Sequence, residues 1–492
     1  MKTTITILAA ATAVFAATAT LRTQGIPKRP EQIAYKPLVF NPPKAADYRH
    51  VLSNGIVVFL APSNELPLID LSMTFRGGAF LEPTDKTGLA AMTAALLRTG
   101  GTESMSPTEV DERLDSLATE LSISAGPTVI TASFDSLKSN FDQSMSIFMD
   151  ILQRPLFDTA KQKIAIDSAI EGMKQRNDDA GPILDREWNI ALYGADHFEA
   201  REPTEASIRA ITKDDMAAFA KRVLNPANVV IAVSGDFDSK EMLAKLETAL
   251  AAWPKGERMA TPPAPVAEVK PGVFHIEKEI PQGKVYIGAR SMTREDPDYF
   301  AGLVMNEILG GGGFTSRILK TVRSDEGLAY SAGSSLDAGV YYPGEFRAGF
   351  QSKSPTVALA IKLIQEEFRK MRENPVSAEE LDVAKKSFIE TFPRAFESKP
   401  AMLGIFVSDE WTGRDTSYWQ AYRDNVSKVT ATDVQRVAQR MLDMKNMAVF
   451  IVGDWDTIQS GDATNRAKMA DFFDDRAEEL PLRDPMTMQP MR

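Results

Sequence analysis

The stretch ITKDDMAAFAKRVLNPANVVIAVSGDFD at residues 211–238 returns, without a gap, as VTATDVQRVAQRMLDMKNMAVFIVGDWD at 429–456. The offset is 218 residues (429 − 211), and nine of the 28 aligned positions are identical, among them Asp215/Asp433, Arg222/Arg440, Asn228/Asn446, Gly235/Gly453 and Asp236/Asp454. Both copies read alike. A Thr caps a helix with an Asp three residues on, the helix ends near a Leu, and a Val/Ile/Ala strand runs into a Gly-Asp turn. Identity at capping, core and turn positions together points to duplication rather than to two chance helix–strand units.

Working outward, residues 254–272 (PKGERMATPPAPVAEVKPG) set five prolines between periodic segments and read as a linker. It separates a first half at 48–253 from a second at 273–475, with a Pro-rich extended segment at 20–47 and a flexible tail at 476–492 that has no periodicity. Within the halves, Ile56–Ala61, Leu68–Arg76, Lys284–Arg290 and Gly344–Gln351 read as strands. Thr108–Leu117, Ser136–Arg154, Asp158–Arg176 and Thr356–Asn374 carry apolar residues at helical spacing. Strands and helices do not alternate strictly and the strand runs are short, which predicts an α+β fold of two homologous halves, each a mainly antiparallel sheet packed with helices.

Composition excludes several chemistries. The 492 residues contain no Cys and three His, so there is no disulfide framework, thiolate zinc site, iron–sulfur cluster or cysteine nucleophile. His50, His197 and His275 lie far apart in sequence and read as structural or solvated residues. A net charge of −11 argues against nucleic-acid binding, which draws on clustered Lys and Arg. At the N-terminus, TITILAAATAVFAATA at 4–19 follows Lys2 and ends in a small-x-small pattern at Ala17 and Ala19. It reads as a signal peptide over 1–19, so the expected location is the periplasm, with no membrane span after cleavage.

Three further stretches carry a resemblance: LSNGIVVFLAPSNELPLIDLSMTFRGGAFLEPTDKTGLA (52–90), ILQRPLF (151–157) and ILGGGGFTSRILKTVRSDEGLAYS (308–331). In order and spacing they resemble the pitrilysin/insulinase zinc peptidases, the M16 family, which also includes mitochondrial processing peptidase and respiratory core proteins. The resemblance implies the LuxS/MPP-like fold of that group. Active members follow Gly-Leu-Ala with His-x-x-Glu-His on a helix, where two histidines one turn apart bind zinc and the glutamate acts as general base. Here the stretch reads Ala91-Met92-Thr93-Ala94-Ala95, so all three functional positions, Ala91, Ala94 and Ala95, are alanine. Alanine neither ligates a metal nor transfers a proton, yet it keeps a good helix former in each slot. Counting on from Ala95, the family's further metal-ligating glutamate falls at Glu171, or with a one-residue shift at Gly172; Glu171 alone makes no zinc site and reads as a helix-surface residue.

Arg323 and Tyr330 match the Arg…Tyr pair that the family contributes from its second half to the catalytic chamber. Gly327 between them lets the chain turn from a helix end into a strand. Read without the family, Arg323 would pair with Asp325 or Glu326 and Tyr330 would be a half-buried strand aromatic. Gly310–Gly313 lacks the residues of a phosphate loop and reads as a tight turn packing at the chamber wall. The resemblance thus implies an exported, zinc-free subunit, binding no cofactor itself and inactive alone. Its partner would be a zinc-bearing homologue with His-x-x-Glu-His, and Arg323 and Tyr330 would bind a peptide substrate and stabilise the transition state of its hydrolysis. The alternative is a structural or chaperone-like peptide-binding homologue.

Overall fold

The computed structural model describes residues 39–472 and 476–491; the leader expected at 1–19 lies outside them. Two six-stranded sheets form the framework. The first runs in the order β1-β2-β6-β3-β5-β4, from β1 (Arg49–Val51), β2 (Val57–Pro62), β3 (Leu68–Arg76), β4 (Glu120–Ala125), β5 (Val129–Leu137) and β6 (Val229–Gly235). The second runs β12-β7-β11-β8-β10-β9, from β7 (Gly272–Glu277), β8 (Gln282–Arg290), β9 (Ala329–Leu336), β10 (Glu345–Lys353), β11 (Ala448–Gly453) and β12 (Ala477–Glu479). The two orders correspond over five strands, β2-β6-β3-β5-β4 with β7-β11-β8-β10-β9, while the sixth differs, β1 lying antiparallel to β2 and β12 parallel to β7. Only β2–β6, β7–β11 and β7–β12 are parallel.

The helices used below are α1 (Leu89–Thr99), α2 (Thr159–Lys174), α3 (Ala180–Tyr193), α4 (Lys213–Val223), α5 (Tyr299–Asn306), α6 (Val357–Glu373), α7 (Lys399–Thr412) and α8 (Ala431–Met441). The repeated sequence folds as α4–β6 and α8–β11. Thr212 and Thr430 close identical capping boxes, each hydroxyl accepting the N–H of Asp215 or Asp433 at 3.2 Å.

β6 and β11 are the central strands, buried over nearly their whole length. Their continuous apolar runs need cover on both faces. One face of each sheet packs on helices of its own half. The other is covered by a helix from the opposite half: Ile183, Leu184, Trp188 and Leu192 of α3 pack on Phe274, Ile276, Phe450 and Val452, while Met402, Leu403, Phe406 and Trp411 of α7 pack on Phe59, Ala61, Val230 and Ala232. α3 and α7 start 219 residues apart (399 − 180), so the exchange is itself a product of the duplication. Residues 42–492 consequently form one compact unit.

Two expectations change, at the start of one helix and in the tail, while the linker stays as read. Ser136 and Leu137 finish β5 in register with Ile69 and Leu68, and the helix expected from 136 starts at Phe141. The stretch before β7 is irregular but held down: Arg258 stacks 4.8 Å from the Trp411 ring, and the Met259 N–H donates to Asn228 Oδ1 at 3.1 Å. The tail expected to be flexible from 476 is bound. β12 uses the free backbone edge of β7, and Arg483 grips Glu187 through two N–H donors. Three paired residues plus side-chain bonds leave no periodic pattern to read.

Candidate functional site

α1 starts where Glu82 receives it, the buried carboxylate accepting the N–H groups of Gly88 at 3.0 Å and Ala90 at 2.7 Å. Burial pushes the Glu82 carboxyl up, opposed by those two bonds. Ala91 and Ala95 are exposed one turn apart, and Ala94 is buried at 3% exposure. Glu171, on α2, is exposed and paired with Lys174 at 2.6 Å. Methyl groups offer a metal no lone pair, so these residues do not fit zinc. Among the described residues no group of three His, Cys, Asp or Glu side chains is placed to hold a metal ion.

The histidines lie in other settings. His275 is buried flat against Trp455, with centroids 3.9 Å apart, and His197 stacks on Tyr193, with centroids 5.6 Å apart, while its Nε2 meets the Pro263 carbonyl at 3.1 Å. Burial lowers the pKa of both rings, favouring the neutral form. His50 lies on the edge strand β1.

Arg323 and Tyr330 do come together. The helix entered at Arg317–Leu319 widens into a π-helical turn over Lys320–Asp325 that carries Arg323. Gly327 then takes φ +64, its N–H returning to the Arg323 carbonyl at 3.1 Å, and the chain enters β9, the outer strand of its sheet. Pairing of β9 with β10 jumps from Ala332↔Phe350 to Ala329↔Ser352, so Tyr330 and Ser331 share one partner, Gln351. Such a bulge bends an outer strand and re-aims its side chains. Tyr330 stands 84% exposed. The Arg323 guanidinium carbon lies 4.7 Å from the Tyr330 ring centroid and 4.9 Å from that of Phe314, itself 71% exposed. Two aromatic faces thus hold one cation, each worth about 0.5–1 kcal/mol at an exposed site.

No carboxylate among the described residues pairs with Arg323. Glu326 is taken by Arg466 through two bonds of 2.7 Å. The guanidinium therefore keeps its donors free to meet a carbonyl or carboxylate.

The glycine run, expected as a tight turn, ends a π-helical turn over Glu307–Gly311. A Cβ on Gly310 would lie 2.3 Å from the Ser334 backbone nitrogen, so only glycine lets the segment lie against β9. Between this segment and the sheet opens a cleft of about 600 Å³, whose charged lining side chains are Lys284, Arg323 and Arg347. Arg347 stacks 4.2 Å from the Tyr286 ring, with Glu345 at 3.6 Å and Asp185 at 3.9 Å. Burial, and then the bond to Asp185, push the Tyr286 hydroxyl up to about 12. No Asp, Glu or His is among the described residues lining the cleft, which offers hydrogen-bond donors and an open strand. Phe314, Lys284 and Arg347 were not singled out from sequence. An aromatic directly after four glycines is the one signal that pointed there.

The family described as "Peptidase M16 inactive domain" matches residues 210–388. A protein named "Non-peptidase homolog YmxG" from Helicobacter pylori is 22% identical over 414 residues, covering 83% of this chain and 94% of its own. The solved peptidase M16 inactive domain from Pseudomonas fluorescens is 25% identical with a TM-score of 0.74, covering 82% of this chain and 97% of that one. The periplasmic protease PqqL from Escherichia coli shares the fold, with a TM-score of 0.71 at 14% identity over 89% of this chain and 50% of that one.

Proposed function

Because the chain belongs to the peptidase M16 family and carries its inactive domain, we propose that it is the zinc-free member of a two-chain peptidase, exported to the periplasm and paired with a homologue bearing His-x-x-Glu-His. The partner supplies the metal and the general base. Arg323 donates to a carbonyl of the bound peptide, and the Tyr330 hydroxyl donates to the oxyanion formed when that carbonyl is attacked. The observation that carries this reading is the Arg323 guanidinium, held between Tyr330 and Phe314 beside an open strand with no carboxylate partner among the described residues. In the first half, alanines at the corresponding metal positions remove the chemistry and leave the helix.

The test is co-expression with such a homologue, followed by peptide cleavage by each chain and by the mixture. The mixture should cleave where the separate chains do not, and Arg323→Ala should lower its kcat/KM by about 10²–10³. A mixture as inert as its parts overturns the pairing. The second reading, a peptide-binding homologue with no peptidase role, draws on the name of the Helicobacter pylori relative. It predicts an active mixture indifferent to Arg323→Ala. Export is checked by fractionation, which should find the chain in the periplasm without residues 1–19.

A further inference from the structure

Arg186, on α3, is 3% exposed. One terminal nitrogen donates to Asn177 Oδ1 at 3.0 Å, the other meets only the Met488 sulfur at 3.6 Å, and Nε is buried with no partner. No carboxylate among the described residues lies within ion-pair distance of it. A thioether is a weak acceptor, and a buried charge without a counter-ion costs several kcal/mol. Arg186 faces a cavity of about 280 Å³ between α3, the loop after it and the C-terminal segment.

The other guanidinium groups around that cavity have carboxylates near them, Arg201 the charge of Glu82 among them, whereas Arg186 has none within ion-pair distance among the described residues. Its charged lining residues are Arg186, Arg201, Arg483, Asp196 and Glu202. Arg483 is matched by Glu187, and Glu202 is drawn to Arg176 at 3.4 Å. Arg201 spends its terminal nitrogens on the carbonyls of Ala79 and Glu82 and on the Thr84 hydroxyl, leaving its buried Nε without a partner. Asp196 stands exposed at the rim. Burial depresses the pKa of Arg176; the pull of Glu202 opposes it and is larger than the repulsion from Arg186. Thr204 and Gln489 add polar atoms to the wall.

We infer that this cavity is a binding site for a small oxyanion-bearing ligand, a carboxylate or a phosphate, whose oxygens supply the counter-charge that Arg186 lacks. Both groups present oxygens that match guanidinium donors. The volume is at the small end of the ~300–1,000 Å³ range of small-molecule sites, so the ligand is a compact anion. The site is separate from the Arg323 cleft, and the inference does not depend on the peptidase reading.

The probes are inorganic phosphate and succinate, each titrated calorimetrically into the full chain and followed by thermal unfolding, against chloride of equal ionic strength. At least one should bind, and at about tenfold its Kd should raise Tm by about 1–2 degrees. The responding probe identifies the anion class. Arg186→Gln should weaken binding about 10- to 100-fold. Gln489→Glu places a carboxylate on the cavity wall, and should raise Tm without any anion while abolishing the response. If neither probe exceeds chloride, or if Arg186→Gln binds as tightly as the parent, the inference is wrong. Should Arg186→Gln fail to fold, Gln489→Glu decides alone: an undiminished anion response overturns the site.

Discussion

Trp188 and Phe406 are separated by the repeat offset of 218 (406 − 188) and make equivalent contacts across the halves. Trp188 is fully buried on the second sheet, with ring centroids 5.7 Å from Phe450 and 5.9 Å from Tyr286, and its indole N–H donates to Glu345 at 2.5 Å. Phe406 is 1% exposed on the first sheet, 5.9 Å from Phe59 and 5.7 Å from Tyr48. Truncating a buried aromatic to alanine costs about 3–5 kcal/mol. Trp188→Ala also removes one donor from Glu345, which keeps Arg347 at 3.6 Å, adding about 0.5–1.5 kcal/mol, whereas Trp188→Phe isolates that smaller loss. Against a whole-protein stability of about 5–15 kcal/mol, either alanine is severe. Because the helices are exchanged, the damage should appear in the opposite half. Amide hydrogen exchange should show Trp188→Ala unprotecting β7 and β11, and Phe406→Ala unprotecting β2 and β6. Loss of protection confined to the half that carries the substitution would refute the exchange.

Ala91→His and Ala95→His, on the exposed face of α1, should each cost under about 1 kcal/mol in urea unfolding, and together should yield a measurable zinc affinity. Ala94→Glu buries a carboxylate and should cost about 3 kcal/mol or more by the same assay. Glu380 receives Arg317, at the root of the segment carrying Arg323, at 2.7 and 3.0 Å. Burial pushes its carboxyl up, but the bonds from Arg317 and from the Ser377 N–H outweigh it and hold it at about 2. With the folded pKa below the unfolded one, the stabilisation is present above the ordinary carboxylate range and is lost as pH falls toward 2. Glu380→Gln should therefore cost about 1–2 kcal/mol at pH 7, allowing for solvent screening, and progressively less as pH falls through about 2. Asp135 lies directly opposite both Asp70 and Glu120. Burial, then Glu120 and Asp70, push its carboxyl up, so this term favours the fold below the ordinary carboxylate pKa and is lost as pH rises through the raised value. Asp135→Asn should stabilise by about 0.2–1 kcal/mol at pH 7 and by nothing near pH 3.

Sequence carried the fold class and the duplication because capping boxes, turns and buried strands are local patterns. Trp188 marks the limit of that information. Helical periodicity shows that it lies on an apolar stripe but not whose sheet the stripe covers, so the exchange stayed hidden. β12 escaped notice because three residues at a sheet margin need no hydrophobic pattern. At the site, Arg323 and Tyr330 were legible only through family spacing. The π-helical turn and the bulge that bring them together leave no compositional trace, since each is one residue more than a regular element would hold.

The two sheets repeat one scaffold while the chemistry on equivalent rows diverges. In the first half a single register row reads Asp70, Asp135, Glu120 across β3, β5 and β4. The matching row across β8, β10 and β9 reads Lys284, Gln351 and the Tyr330–Ser331 bulge. Packing does not dictate either set, since both lie on the side away from the helices of their own half and like charges in a row oppose folding. The helix beside the first row ends regularly and carries alanines; its counterpart α5 runs into the π-helical Glu307–Gly311 turn, whose glycines lie against β9. Duplication therefore accounts for the strands, the caps and the exchanged helices. The register row and the helix end beside it are where the halves took different chemistry, and in the second half that chemistry is cationic, aromatic and open.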